Sequence, residues 1–240
     1  MLPLFIVEKL PNSGEVEITG DEARHAISAV RVKVNEMIAL TDGHGARATA
    51  EVLVVDRKSL HLRIIDRKFH EPSAIKLSVL QALTKGDRAR ETVELLTEAG
   101  VDQIFPWAAA RSIGHWKDSH DSRSKWQTWA REATKQSRRS WIPDVATLQS
   151  QESITERFAD FDLVLLFHES AGEKLSSVLK DKKVQSVLLI IGPEGGITED
   201  EINHFLAAGA LSVSMGEPIF RSAHAGAAAL AAVQTSLGIW

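Results

Sequence analysis

The sequence predicts an α/β protein in two parts: a small barrel of short strands, then a mostly parallel sheet interleaved with helices. Three observations carry this. The first seventy residues break into short β-type runs set off by turn residues. From Ile75 onward, apolar runs alternate with helical patterns. Two of those runs, FDLVLLF and SVLLIIG, are almost wholly apolar, as strands of a parallel sheet buried on both faces are.

Taken in order, MLPLFIV, EVEITG, EMIALTDG, ATAEVLVVD and LHLRIID read as strands separated by Asn-Ser-Gly, Asp-Gly and Asp-Arg-Lys breaks. Strands at this spacing suggest a small barrel. A helix over about Asp21–Val32 interrupts them, opened by Gly-Asp-Glu and carrying Ala26, Ile27 and Val30 on its apolar side. The pattern changes at His70–Ala74, which divides the chain into expected domains over 1–72 and 73–240. IKLSVLQAL is a strand, and a helix opened at Gly86-Asp87 runs through RARETVELLTEA to a stop at Gly100. VDQIFPWA is a strand, and the Trp-rich basic stretch to about Arg139 is helical at least in part. After FDLVLLF and SVLLIIG, Thr198 with Glu201 makes a capping box for a helix ending near Gly209. LSVSM is a last strand, and AHAGAAALAAVQTSL is a closing alanine-rich helix.

Composition narrows the function classes. The 240 residues are 44% hydrophobic and 25% charged, the balance of a globular protein. The absence of cysteine excludes disulfides, thiolate zinc sites and a cysteine nucleophile. No apolar run approaches the roughly 18 residues of a membrane span, and the N-terminus lacks a basic lead, so a cytoplasmic protein without a membrane partner is expected. His115 and His120, near Asp118 and Asp121, sit in a hydrophilic stretch that reads as a solvated loop, so no metal site is expected. The net charge of -4 is uneven: residues 111–140 hold eight basic and three acidic side chains, residues 141–240 six and thirteen. The basic island fits either an anionic partner such as a phosphate backbone or a solvated helix face.

In open α/β sheets, ligands gather beyond the carboxyl ends of strands. Three such ends carry unusual chemistry: LLFHES, IIGPEGG and SMGEPIFR. In the second, Gly192, Gly195 and Gly196 lift the Cβ restriction, and Pro193 stiffens the turn. Glu194 is thereby held beside the positive end of the helix that Thr198 caps, as a dipole partner or as a ligand group. Neither GxxxxGK[ST] nor GxGxxG occurs, and a carboxylate in the turn repels phosphate, so a hydroxyl, amine or amide partner is favoured. In the third, Gly216 and Pro218 shape a loop whose Ile219 and Phe220 form either a core plug or the wall of an adenine pocket.

A Gly-Pro-Glu-Gly-Gly loop after a buried strand, then Met-Gly-x-x-Ile-Phe-Arg leading into an alanine-rich helix, resembles the SPOUT methyltransferases. LQALTKGDRARETVELLTEAGVDQIFPWAAARS resembles their RsmE subfamily, and HAISAVRVKVNEMIALTDGHG resembles that subfamily's PUA-like N-terminal domain. The resemblance spans nearly the whole chain. It implies a C-terminal domain tied in a trefoil knot, a homodimer, and methylation of uridine N3 in 16S ribosomal RNA of the small subunit with S-adenosyl-L-methionine as cofactor. It also implies that Phe167, His168, Gly192, Glu194, Gly195, Met215, Gly216, Ile219 and Phe220 bind that cofactor. One departure stands out. RsmE-like proteins often read Arg-Thr-Glu-Thr-Ala where this chain has Arg221-Ser222-Ala223-His224-Ala225, so no role of that glutamate carries over. His224 is then a satisfied helix residue or a substrate contact.

Methylating uridine N3 needs a route for its proton and positive charge near O2 or O4. Arg221 is the expected catalytic cation, and Glu194 the expected positioning group or base. RNA is expected to be gripped by Arg31, Lys85, Arg88, Arg111, Arg123, Arg138 and Arg139, with tryptophans interleaved at 116, 126, 129 and 141. Trp126 and Trp129, three apart, read as the buried side of a helix. Other SPOUT activities (ribose 2'-O or a transfer RNA base) and a non-catalytic RNA-binding or assembly factor are the competing readings.

Overall fold

The computed structural model describes residues 2–86, 88–117 and 119–240, without the side chains of Ser119 and His120. Asp87, expected at a helix start, and Asp118 and the His120 side chain, weighed as metal ligands, therefore lie outside the described residues. The chain forms two compact units, one of residues 1–72 with 134–142 and the other of 73–133 with 143–240.

The first unit is built on a five-stranded sheet in the order β1 (Leu4–Ile6), β3 (Met37–Thr41), β4 (Ala46–Val55), β5 (Leu60–Phe69), β2 (Glu15–Ile18). Only β1 and β3 pair parallel. Register shifts at Thr49/Ala50 and Val52/Val54 bend the long β4–β5 ladder into a half-barrel. Alternation along β4 buries Ala48, Ala50 and Val52 against Phe5, Ile38, Leu40, Leu60 and Leu62. The expected helix is shorter and less regular than its pattern: α1 covers Gly20–His25, a π turn continues over Ala26–Val30, and Arg31 ends it in the left-handed region at φ 60°. A left-handed residue cannot continue a helix, which leaves Val32 outside it. Residues 134–142 join this unit through Ile142 N–H to the Gly43 carbonyl and Trp141 Nε1 to the His70 carbonyl.

The second unit holds a six-stranded sheet in the order β11 (Leu211–Val213), β9 (Leu163–Phe167), β10 (Ser186–Ile191), β6 (Lys76–Ala82), β7 (Gln103–Trp107), β8 (Asp144–Val145), every pair parallel. Along β10, Val187, Leu189 and Ile191 enter one core with α2 (Arg88–Glu98) and α7 (Ser222–Ser236). Leu188 and Ile190 enter the opposite core with Trp107 and Phe205. Both faces are thus covered, which is why the strand carries no alternation. Helix α3 (Ser119–Ser137) buries Trp126 and Ala130, and α6 (Glu199–Ala207) packs Phe205 edge-on against Trp107 at 5.3 Å. Two short helices, α4 (Gln151–Thr155) and α5 (Leu175–Leu179), and the two-residue β8 had no counterpart in the sequence reading. Among the described residues no helix is long and apolar enough to cross a membrane.

Candidate active site

Strands β11, β9 and β10 are adjacent and parallel, so the bends after Val213, Phe167 and Ile191 emerge side by side at one edge of the sheet. Strand β6 follows β10 in the row, with Gln81 paired to Ile191, and adds the loop beginning at Leu83. The bends after β9, β10 and β11, with Arg111, line a cavity of about 730 Å³, within the roughly 300–1,000 Å³ usual for small-molecule sites.

The Gly192–Gly196 bend owes its shape to different glycines for different reasons. A Cβ on Gly192 would lie 2.5 Å from Ile197 Cγ1, so backbone occupies space a side chain cannot share. Gly196 takes the left-handed conformation at φ 76° and donates to the Pro193 carbonyl at 3.0 Å, which closes the turn. Glu194 projects into solvent at the cavity wall, with the Lys85 N–H 3.5 Å from its Oε1. Beyond the turn the expected capping box is present: Thr198 Oγ1 accepts from the Glu201 N–H at 3.2 Å, and Glu201 Oε2 accepts from the Thr198 N–H at 2.9 Å. Glu201 is only 5% exposed, and its other oxygen accepts from the Ala110 N–H at 2.7 Å. That bond ties the loop after β7 to the start of α6.

The second bend runs from Ser214 to Arg221, with Gly216 at φ 130°. Ile219 and Phe220 are 76% and 49% exposed and line the cavity, so they are walls rather than a core plug. Arg221 is the N-cap of α7, exposed at the same rim. From the third bend, Phe167 and His168 face the cavity, and His168 Nδ1 accepts from the Ser170 N–H at 3.2 Å.

All nine side chains and backbones expected to hold a cofactor line this one cavity, as does Arg221. Arg111, expected among the RNA contacts, also lines it, with NH1 donating to the Gly195 carbonyl at 3.1 Å. Lys85 and Arg88 are exposed at the start of the β6–α2 connection. Arg123 is engaged within its unit, Nε donating to the Val145 carbonyl at 2.8 Å. Arg31, Arg138 and Arg139 lie in the other unit; Arg31 is exposed, and the other two are half-buried. Trp126 and Trp129 take the buried side of the helix, as their spacing predicted, and the other two tryptophans are also engaged. Trp126 is 4% exposed with Trp116 edge-on at 5.4 Å, Trp129 is half-buried on the same core, and Trp141 spends its indole N–H on His70. His224 is satisfied, its Nε2 lying 3.2 Å from Glu91 Oε1 on α2. Ala223, where the resembling proteins often carry glutamate, is 1% exposed.

Some residues that matter to the site were not among those the sequence pointed to. Ser222 and Ile197 line the cavity, and Gln81 sits fully buried beneath it. The signal for Gln81 was present, a polar residue inside an apolar strand; the other two carried none.

The donor set suits a nucleoside-bearing methyl donor. Apolar walls from Phe167, Met215, Ile219 and Phe220 suit a flat base, and side-chain-poor backbone at Gly192 and Gly195 allows close approach. Residues 71–234 match a family described as an RNA methyltransferase domain, and residues 18–65 one described as an RNA methyltransferase PUA domain. The chain is 35% identical to the ribosomal RNA small subunit methyltransferase E of Mycobacterium bovis, over 99% of this chain and 93% of that protein. To the enzyme of the same name from Bacillus subtilis it is 27% identical over 96% and 94% of the two chains. Its fold is similar to the crystal structure of a ribosomal RNA small subunit methyltransferase E from Neisseria gonorrhoeae bound to S-adenosyl methionine. The TM-score is 0.87, with 27% identity over 98% of each chain.

Proposed function

The chain belongs to the ribosomal RNA small subunit methyltransferase E family, and we propose that it transfers a methyl group from S-adenosylmethionine to N3 of a uridine in 16S ribosomal RNA. The observation that carries this reading is the convergence of three strand-end bends on one cavity lined by every residue expected to meet that cofactor. The cofactor, when bound, supplies an electrophilic methyl group on a sulfonium.

The chain's own residues supply the rest. Gly192 and Gly195 offer backbone at contact distance, while Phe167, Met215, Ile219 and Phe220 take the apolar surface of the donor and His168 and Gly216 complete the enclosure. Holding two reactants in line is itself a large part of the rate enhancement of a displacement. Arg221 presents a permanently charged fork at the rim, where it stabilises negative charge growing on O2 or O4 as N3 loses its proton. Glu194 is the exposed carboxylate of the first bend, open to water, and positions the uracil edge or accepts that proton and passes it on. Lys85, Arg88, Arg111, Arg123, Arg31, Arg138 and Arg139 are the proposed phosphate contacts, Arg111 doing double duty at the cavity wall. Residues 1–72 would serve as the PUA-like RNA-binding domain and 73–240 as a trefoil-knotted methyltransferase domain, acting in the cytoplasm as a homodimer.

Calorimetry with S-adenosylmethionine, followed by mass spectrometry of small-subunit RNA methylated as naked RNA and as assembled 30S particles, tests the proposal. Cofactor binding and a methyl mark on uridine N3 are expected. A mark on a ribose 2'-O or another base transfers the chain to a different SPOUT activity. No cofactor binding leaves an RNA-binding assembly factor, a reading the buried Ala223 in place of a glutamate keeps open.

A further inference from the structure

Gln81 is the penultimate residue of β6 and is fully buried. An amide is an expensive group to bury unless its atoms find partners. Its Nε2 donates to the Ala82 carbonyl at 3.1 Å and to the Ser222 hydroxyl at 3.3 Å, while its Oε1 has no partner among the described residues, so the amide NH2 group alone carries the hydrogen bond to α7. Ser222, 6% exposed at the first position of α7, donates in turn to the Gly192 carbonyl at 2.6 Å. The donors thus run in one direction, from amide to hydroxyl to carbonyl, an arrangement in which each bond polarises the next.

The carbonyl at the end of this path belongs to the residue where the first bend leaves β10. The hydroxyl in its middle belongs to the residue that follows Arg221 at the end of the second bend. The approach of α7 is set by bare backbone: a Cβ on Gly226 would lie 2.6 Å from Leu96 Cδ2 and 3.1 Å from Gln81 Oε1. A larger residue there would lift the helix and break the reach from Gln81 to Ser222.

We propose that Ser222 is a positioning residue whose hydroxyl, aimed by Gln81, locks the two cofactor bends to each other. Its hydroxyl acts on the methyl donor through the Gly192 carbonyl it holds. The proposal rests on the reading of the Gly192 bend as part of the cofactor site.

The test is Ser222→Ala in the full-length protein, with S-adenosylmethionine affinity measured by calorimetry and methyl transfer measured at saturating cofactor. One lost hydrogen bond of this kind should raise the cofactor Kd about three- to tenfold. Turnover at saturating cofactor should change much less, a split that general destabilisation of the fold does not produce. Gln81→Met, which keeps the side-chain volume and removes the amide, should weaken cofactor binding as well. The double variant should be no worse than the poorer single one, because both act through one path. A Ser222→Ala Kd within about twofold of the parent overturns the proposal, as do additive effects of the two changes. A parent protein that does not bind the cofactor at all would instead sink the reading of the bend.

Discussion

Replacing Gly192 by alanine adds a single methyl group, and the structure says what it would meet. The new Cβ would stand 2.5 Å from Ile197 Cγ1 and 3.0 Å from Cδ1. Carbon atoms in contact sit about 3.5–4.0 Å apart, so the overlap with Cγ1 is about 1 Å. Ile197 cannot step aside easily, because it is 6% exposed and branched at Cβ, and Phe205 and Leu188 belong to the same core. Overpacking of this kind costs about 1–3 kcal/mol, relieved by displacing the bend or the isoleucine. If the bend moves, that energy comes out of cofactor binding, and about 1–3 kcal/mol corresponds to roughly five- to 150-fold in Kd. Thermal unfolding and calorimetry with S-adenosylmethionine, both on Gly192→Ala, separate a folding loss from a binding loss. A variant that binds the cofactor as the parent does, with an unshifted unfolding midpoint, would refute the argument that close backbone approach at Gly192 shapes the site.

Arg221→Ala should lower turnover about a hundredfold or more while leaving cofactor affinity close to the parent's, since the guanidinium acts on charge that develops during transfer; unchanged turnover removes it from the chemistry. Binding of RNA should weaken steeply with salt, about twentyfold for a fourfold rise if about three phosphates are neutralised, and a flat response in a filter-binding series would count against a phosphate grip. Asp162 gives a pH prediction: the N–H groups of Gln185 and Ser186 donate to Oδ2 at 2.7 and 3.0 Å, and those backbone bonds hold its pKa below the ordinary 3.8. A lowered carboxylate pKa stabilises the fold fully above the ordinary value, and that contribution is lost as pH falls through the lowered one. Chemical denaturation of Asp162→Asn should therefore show its deficit at neutral pH and close the gap below about pH 3.8, and a gap independent of pH would contradict the assignment.

Which parts of this molecule were legible follows from where the physical constraint sits along the chain. Strands β9 and β10 were plain because burial on both faces forces an unbroken apolar run, and the α6 capping box was plain because both its partners lie three residues apart. Strand β8 is two residues held by a neighbour, Asp144 to Gln103 and Val145 to Ile104, and so few residues carry no period. Helix α5 spans five residues without a side-chain cap, so it lacks both signals by which a helix start is read. The first helix misled for another reason. Its apolar spacing suited an α-helix to Val32, but a π turn and a left-handed Arg31 cut it short, and neither leaves a mark in hydrophobic periodicity.

The site divides the same way. The bends could be found because proline, glycine and exposed apolar residues at strand ends contradict what an ordinary turn requires, and a local contradiction is visible in a single sequence. Arg111 was visible only as one more cation in a basic stretch; what brings it to the cavity is the Ala110 N–H held by Glu201, ninety-one residues away. Gln81 and Ser222 are 141 residues apart and meet only because β6 lies beside β10 and Gly226 lets α7 close over it. A polar side chain inside a buried strand is the one trace such a network leaves, since an amide is retained there against its desolvation cost only if something beyond the strand needs it. By that reasoning Ser78, the other buried polar residue of β6, is the next to explain: its hydroxyl has no partner among the described residues. Unlike Gln81 it sits at the middle of the strand, three residues from the cavity edge, where Ser78→Ala should be neutral or stabilising and should leave cofactor affinity untouched, because no bend depends on it.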